Sequence, residues 1–354
     1  MPTPSIDLAP FQAAAATTMQ AEAVTGLVLA VAQGAGEPQL VALGHDAHGT
    51  RLSSTTCFPV ASLSKLALAL AVLRMVAKDR LQLDERLSTY LPEAQAAQPG
   101  VTLRRLLSHC GGLPVDVAPT AAPYAPGLNW PILAAACLAT PLAQAPATRV
   151  IYSNVGYGLL ALVIERVTGW PYRQALRELV LDPLGLTGSL GTVPSTPVAV
   201  LGGRLGEHTG TGLEPFNSLF WRELALPWAG LITDAAGALA LVRAFGGQSS
   251  DFLPTDLVAE AQRDQTSGLA GGTPGFLEWP VCPWGLGPEL RGHKWPHFTP
   301  TSAAPTSFGH AGGSGCLAWY DPPSGRSWAI LATRTLPGWW LRWPNLAATL
   351  LQLA

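Results

Sequence analysis

Two short apolar hairpins stand near opposite ends of this 354-residue chain, with mostly helical sequence between them. Val24 to Gln33 is apolar, bounded by glycine-rich turns, and reads as a strand. Gln39 to His45 follows Gly34-Ala-Gly-Glu-Pro and reads as its hairpin partner. Cys316 to Tyr320 and Trp328 to Thr333 flank Asp321-Pro-Pro-Ser-Gly, a turn sequence, and form the second hairpin. Helical patterns fill the interval at Leu63–Lys78, Thr102–His109, Val155–Val167 and Ala235–Phe245, each closed by glycine or proline or opened by a capping residue. Strands at both ends and helices between suggest an antiparallel sheet built from both termini, so the expected class is α/β (α+β). A mainly antiparallel sheet is flanked by helices and carries an inserted helical subdomain. The division expected is a discontinuous sheet domain over 1–60 and 235–354 and a mainly helical region over 61–234. Leu269 to Pro305, dense in Gly, Pro and Trp, reads as loops around one short strand.

Composition removes several classes. The chain is 48% hydrophobic and 12% charged, against about 25% charged for an average domain. Disordered chains combine low hydrophobicity with high charge, so this is a folded chain. A formal charge of −2 with no basic patch points away from nucleic acid. Leu66 to Leu73, between Lys65 and Arg74, is among the longest uninterrupted apolar runs, and it is too short to span a bilayer. No integral membrane segment is expected. No Lys or Arg precedes an apolar stretch at the N-terminus, so no secretory signal is read and a cytoplasmic location is expected. The five cysteines are widely spaced with no CxxC, and read as small buried apolar residues.

Phosphate-loop, HExxH and Gly-x-Ser-x-Gly patterns are missing. Gly156-Tyr-Gly158 follows no convincing strand and is not read as a dinucleotide site. Three short patterns remain. Ser62-Leu-Ser-Lys65 sets Ser62 at the start of a helix and Lys65 one turn later on the same face. An ammonium and a helix N-terminus both favour an alkoxide on Ser62, and a desolvated lysine can serve as base. Tyr152-Ser-Asn154 opens the next helix. A phenol beside a lysine can have its pKa lowered and relay a proton, and an asparagine can bridge lysine and substrate. Gly309-His310-Ala-Gly312-Gly313-Ser-Gly315 leads into the last hairpin, and its small residues let an acyl group approach a bare backbone amide.

Ser-x-x-Lys, then Tyr-x-Asn, then His-x-Gly, in that order, resembles the three active-site motifs of the serine β-lactamase and penicillin-binding superfamily. Thr102-Leu-Arg-Arg-Leu-Leu-Ser-His-Cys-Gly-Gly-Leu-Pro114, Trp228-Ala-Gly-Leu-Ile-Thr-Asp234 and Trp284-Gly-Leu-Gly287 are also similar to segments of that family. The resemblance covers about residues 20 to 335. It implies a β-lactamase/transpeptidase-like fold with the site in the cleft between sheet and helical region. Ser62 would be the acylated nucleophile, with Lys65 and Tyr152 sharing proton transfers. Asn154 would orient Lys65 and substrate. His310, Gly312 and Gly313 would line the substrate site, His310 replacing a commoner lysine. The N–H groups of Ser62 and Gly313 would form the oxyanion hole. No metal or organic cofactor is implied.

The Tyr-x-Asn form is similar to class C lactamases, D,D-peptidases and related esterases. A histidine, neutral much of the time near pH 7, holds a substrate carboxylate less firmly than a fixed ammonium. The expected activity is therefore hydrolysis of small carboxylic esters through an acyl-enzyme. The alternatives are a D-amino-acid peptidase, amidase or weak β-lactamase, an acyltransferase, and a silent binding protein. The partner in each catalytic case is a small ester or amide, and the sequence leaves the oligomeric state open. Ser64 reads as a packed helix residue, Glu165 as a surface carboxylate and His109 as a packing or capping residue. His293 and His297, separated by a helix-breaking Lys-Trp-Pro, do not read as a metal pair. Trp279, Trp284 and Trp295 are candidates for the wall of an acyl pocket. Trp339, Trp340 and Trp343 would pack the C-terminus onto the sheet.

Overall fold

The computed structural model describes residues 6–192, 196–203, 206–249, 251–335 and 340–353. Both terminal hairpins enter one six-stranded sheet. Its spatial order is Gln39–Gly44, Gly26–Gln33, Arg326–Ala332, Cys316–Asp321, Phe308–Gly312 and Glu289–Leu290. Every neighbouring pair described in register is antiparallel, with Leu27 opposite Ala332 and Gly309 opposite Trp319. The first long strand thus pairs with the last, and closes the chain on itself across some 300 residues.

Strand alternation divides the core into two layers. Leu27, Leu29 and Val31 point to one face, where the helices Ala9–Ala21 and Trp343–Gln352 cover them with Phe11, Trp343 and Leu346. Val28, Ala30 and Ala32 point to the other face, towards Ser64–Val76 and Ala235–Phe245. Trp343 is fully buried beside Trp319 and Trp328, so it does pack the terminus onto the sheet. Trp339 and the side chain of Trp340 lie outside the described residues.

The helix Ser64–Val76 is buried on nearly every side, Lys65 included. Leu and Ala dominate it and no Gly or Pro interrupts it, so propensity and burial agree. Elsewhere the structure adds elements. Trp130–Ala139 is a helix capped by the Asn129 side chain with Pro131 in its first turn. Tyr172–Leu176 continues as a wider turn to Leu181. The segment expected to hold one short strand holds three: Gly271–Thr273, Leu277–Trp279 and Glu289–Leu290. Gly271 and Gly272 have φ near +145°, and a Cβ on Gly271 would lie 1.9 Å from the Val150 carbonyl oxygen. The first of these strands exists because glycine lets the backbone lie against Val150–Ile151, a tertiary fit that local propensity does not report.

Glu165 is not a simple surface charge. Its carboxylate accepts from Trp130 Nε1 at 3.1 Å and from the Tyr172 amide at 3.0 Å, and ties three helices together. Leu68, fully buried in the central helix, gives a test of this core. Leu68→Ala should lower the unfolding free energy by about 2–5 kcal/mol. Urea denaturation would measure it, and a change below about 0.5 kcal/mol would show that the helix is not the packed centre described.

Candidate active site

The turn that carries Ser62 is built from three directions. Phe58–Pro59 pairs antiparallel with Leu231–Thr233, and Ala61 then takes a left-handed backbone angle of φ +47°. A non-glycine residue held there stores strain, as residues at functional turns often do. Ala61–Leu63 form a single 3₁₀ turn, and the α-helix proper begins at Ser64. Ser64 locks the turn. Its hydroxyl donates to the Ala61 carbonyl at 2.6 Å and accepts from the Leu231 amide at 3.0 Å. Ser64 is thus a packed positioning residue, and Ser62 alone of the two faces the cavity.

Lys65 Nζ lies 3.3 Å from Ser62 Oγ and 3.2 Å from the Trp228 carbonyl oxygen. It also sits 4.6 Å from the centre of the Tyr152 ring. The lysine is fully buried, and burial lowers its pKa to about 7, with the charge of Asp116 opposing that shift. A substantial fraction is therefore a neutral amine at neutral pH, beside the hydroxyl it would deprotonate.

Tyr152 arrives on an extended segment. Val150–Ile151 pairs with Gly271–Gly272, and the Tyr152 amide donates to the Gly272 carbonyl at 2.9 Å. The next residue, Ser153, caps the helix Asn154–Thr168 by accepting from the Gly156 amide. Here one expectation is overturned. The phenol pKa of Tyr152 is raised, not lowered, because burial penalises the phenolate more than nearby groups help it. Tyr152 is thus a neutral hydroxyl that can pass a proton on, and the neighbouring Ser62 hydroxyl only partly opposes the rise. Asn154 also differs. Its Nδ2 donates to Asp116 Oδ1 at 2.7 Å, while its Oδ1 is buried without a partner, so no bond to Lys65 is formed. The Asp116 carboxylate has claimed the amide instead.

His310 and its glycines belong to the strand next to the sheet edge. The strand Phe308–Gly312 puts His310 opposite Ala318. Gly309 and Gly312 allow this approach. A Cβ on Gly309 would meet the Ala318 carbonyl oxygen at 2.1 Å, and one on Gly312 would meet the Val60 carbonyl oxygen at 2.3 Å. Gly312 thus packs against the turn that carries Ser62, whereas Gly313 opens to the cavity with Ser62. His310 Nδ1 donates to the Ala311 carbonyl at 2.7 Å, leaving Nε2 as an acceptor. Burial and the nearby Lys65 lower its pKa to about 4, so the ring is neutral near pH 7.

These groups face a cavity of about 190 Å³. Ser62, Tyr152, His310 and Gly313 meet there under a wall that includes Phe276, Trp279 and Trp284. Trp295 belongs elsewhere: it is 60% exposed and does not line the cavity. Three further residues support the site: His109, which packs as read from the sequence, and Asp116 and Glu289, which sequence reasoning passed over. His109 packs on Tyr152 with ring centres 4.6 Å apart, and its Nδ1 accepts from the Ser153 amide at 3.0 Å. Asp116 holds Asn154. Glu289 lies in the cavity wall and pairs with Lys294 at 2.7 Å, both buried. Among the described residues no three His, Cys, Asp or Glu side chains gather as a metal site.

A sequence profile of the family described as Beta-lactamase matches residues 11–348. The chain belongs to the beta-lactamase family. Within it, the chain is similar to Esterase EstB of Burkholderia gladioli, 30% identical over 326 residues, covering 80% of this chain and 76% of the relative. Solved structures of like fold include EstCE1, a hydrolase with promiscuous acyltransferase activity, at a TM-score of 0.79 and 22% identity over 97% of both chains. The D-amino acid amidase of Ochrobactrum anthropi SV3 matches at a TM-score of 0.74 and 20% identity, over 97% of this chain and 96% of that one. Both likenesses concern the fold that the family shares.

The depressed Lys65 pKa makes stability depend on pH. Folded, Lys65 titrates near 7; unfolded, it returns towards its ordinary 10.5. Between these values the unfolded chain binds more protons, so this residue's contribution makes stability rise with pH. Urea unfolding of wild type and Lys65→Met at pH 7, 8.5 and 10 should show the wild type gaining on the variant as pH rises. A constant difference would mean that Lys65 is not desolvated as described.

Proposed function

We propose that this member of the beta-lactamase family is a serine hydrolase that cleaves small, uncharged carboxylic esters through an acyl-Ser62 intermediate. The observation that carries the reading is the buried Lys65 amine, 3.3 Å from Ser62 Oγ with its pKa near 7. Lys65 Nζ would take the Ser62 proton as Oγ attacks the ester carbonyl carbon. The amides of Ser62 and Gly313 would hold the developing oxyanion. Collapse would release the alcohol, protonated by the Lys65–Tyr152 pair. A water molecule, deprotonated by the same pair, would then free the acid and restore Ser62.

Substrate class follows from the wall. Aromatic side chains dominate it, and neutral His310 stands where a cation would hold a carboxylate. Neutral acyl groups suit such a pocket better than anionic β-lactams or peptide C-termini. The similarity to Esterase EstB supports the same choice. A cytoplasmic location belongs to this proposal, supported by five cysteines that are all free and buried. Among the described residues no helix is long and apolar enough to cross a membrane.

A fluorophosphonate probe should add its mass once to wild type and not at all to Ser62→Ala. Hydrolysis of p-nitrophenyl butyrate should fall about 10³-fold or more in that variant. Hydrolysis of a chromogenic cephalosporin should be much slower than that of the ester. Equal ester rates in the two proteins would remove Ser62 from the reaction.

A further inference from the structure

One wall of the cavity carries a polar group that the reaction above does not use. Glu289 opens a short edge strand beside Phe308–Gly312 and lies opposite Gly309, one residue before His310. It is 3% exposed, yet it lines the same cavity as Ser62, Tyr152 and His310. Lys294 Nζ donates to its Oε1 at 2.7 Å, and His297 Nε2 reaches the same oxygen at 3.4 Å. His297 Nδ1 accepts from the Thr299 amide at 3.2 Å, so the ring proton sits on Nε2 and is donated to Glu289. Two donors thus converge on Oε1. Among the described residues none reaches Oε2.

An ionised carboxylate oxygen without a donor can only accept, so Oε2 is left free to take a hydrogen bond. The Lys294 and His297 donors hold Glu289 well below the usual carboxylate range, so it is ionised at working pH despite its burial. Its charge is nonetheless matched by Lys294, whose ammonium is clamped over Trp279 and Trp284 at 5.0 and 5.2 Å from the ring centres. The balance of charge decides what the free oxygen suits. A cationic group entering the cavity would meet the Lys294 ammonium and the Lys65 amine as well as the carboxylate. A neutral donor, a hydroxyl above all, would gain the hydrogen bond without that repulsion.

Resting on the acyl-Ser62 reading, we propose that Glu289 Oε2 is a specificity site that accepts a hydrogen bond from a hydroxyl on the acyl portion of the substrate. The preferred substrates are then esters of hydroxy acids, with the aromatic wall taking the carbon chain and Glu289 the hydroxyl. Lys294 and His297 are positioning residues: they hold Oε1 and turn Oε2 to the cavity.

The test compares matched pairs of esters: ethyl butyrate with ethyl 3-hydroxybutyrate, and ethyl hexanoate with ethyl 6-hydroxyhexanoate. Acid release is followed in a pH-stat. In wild type, kcat/KM for at least one hydroxyacyl ester should exceed that of its unsubstituted partner by about tenfold, as expected of a site built to bond a hydroxyl. In Glu289→Leu combined with Lys294→Met, that ratio should fall to about one. The double change replaces the buried ion pair by apolar side chains of similar size, which folded proteins commonly tolerate. Thermal unfolding and fluorophosphonate labelling of Ser62 would verify that the variant is folded and its nucleophile intact. A wild type that cleaves both members of each pair equally would overturn the proposal, as would a preference that survives the double change. Failure of the underlying serine reading looks different, because then no ester is cleaved and the probe does not label Ser62.

Discussion

The lysine amine buried against the Ser62 hydroxyl is the interaction on which the rest of the site depends. Lys65 is drawn out of water by the same apolar helix that forms the molecule's centre, and that helix cannot be loosened without exposing it. Desolvation brings its pKa to about 7. The surroundings then follow from one requirement, to keep an uncharged amine next to a hydroxyl. Trp228 offers a carbonyl, Tyr152 a ring face, and Asp116 a more distant charge that moderates the shift. None of these neutralises the amine as a direct ion pair would.

The sheet serves this arrangement through close backbone approach. Gly309 and Gly312 permit the strand of His310 to lie against its neighbour and against Val60, which places Gly313 beside Ser62. Ser64 fastens the Ser62 turn to Leu231 from the other side. The cavity is therefore held by rigid elements on two sides, with the aromatic wall of Trp279 and Trp284 on the third. Burial runs in the same direction for each titrating group: it disfavours the charged form of Lys65, His310 and Tyr152 alike. Glu289 is kept charged by dedicated partners, Lys294 and His297.

Much of this was legible in the chain because it rests on local chemistry. The terminal hairpins show uninterrupted apolar strands broken at turn residues, and the central helix shows an unbroken Leu/Ala run. The family resemblance rests on three short patterns in order. What escaped depends on tertiary approach. The strands at Gly271–Thr273 and Leu277–Trp279 look like loop sequence because their glycines are needed for proximity to Val150, which lies about 120 residues earlier. The helix Trp130–Ala139 did carry a readable signal, an asparagine cap followed by proline. Tyr152 was misjudged because its pKa follows burial, and burial is not visible beside a lysine in sequence. Asn154 was assigned to Lys65 although Asp116, in a loop beyond Pro114, takes its amide. Glu289 and Lys294, five residues apart in a segment rich in Gly and Pro, gave no periodic hint that they would meet in the cavity wall.

The central claim is that neutral Lys65 activates Ser62. The pH dependence of kcat/KM for a short neutral ester, measured from pH 5 to 9 at constant ionic strength, tests it most directly. The expected result is a rise through a single step with an apparent pKa near 7, as Lys65 loses its proton. A rate that is flat across this range would contradict the assignment of Lys65 as the base.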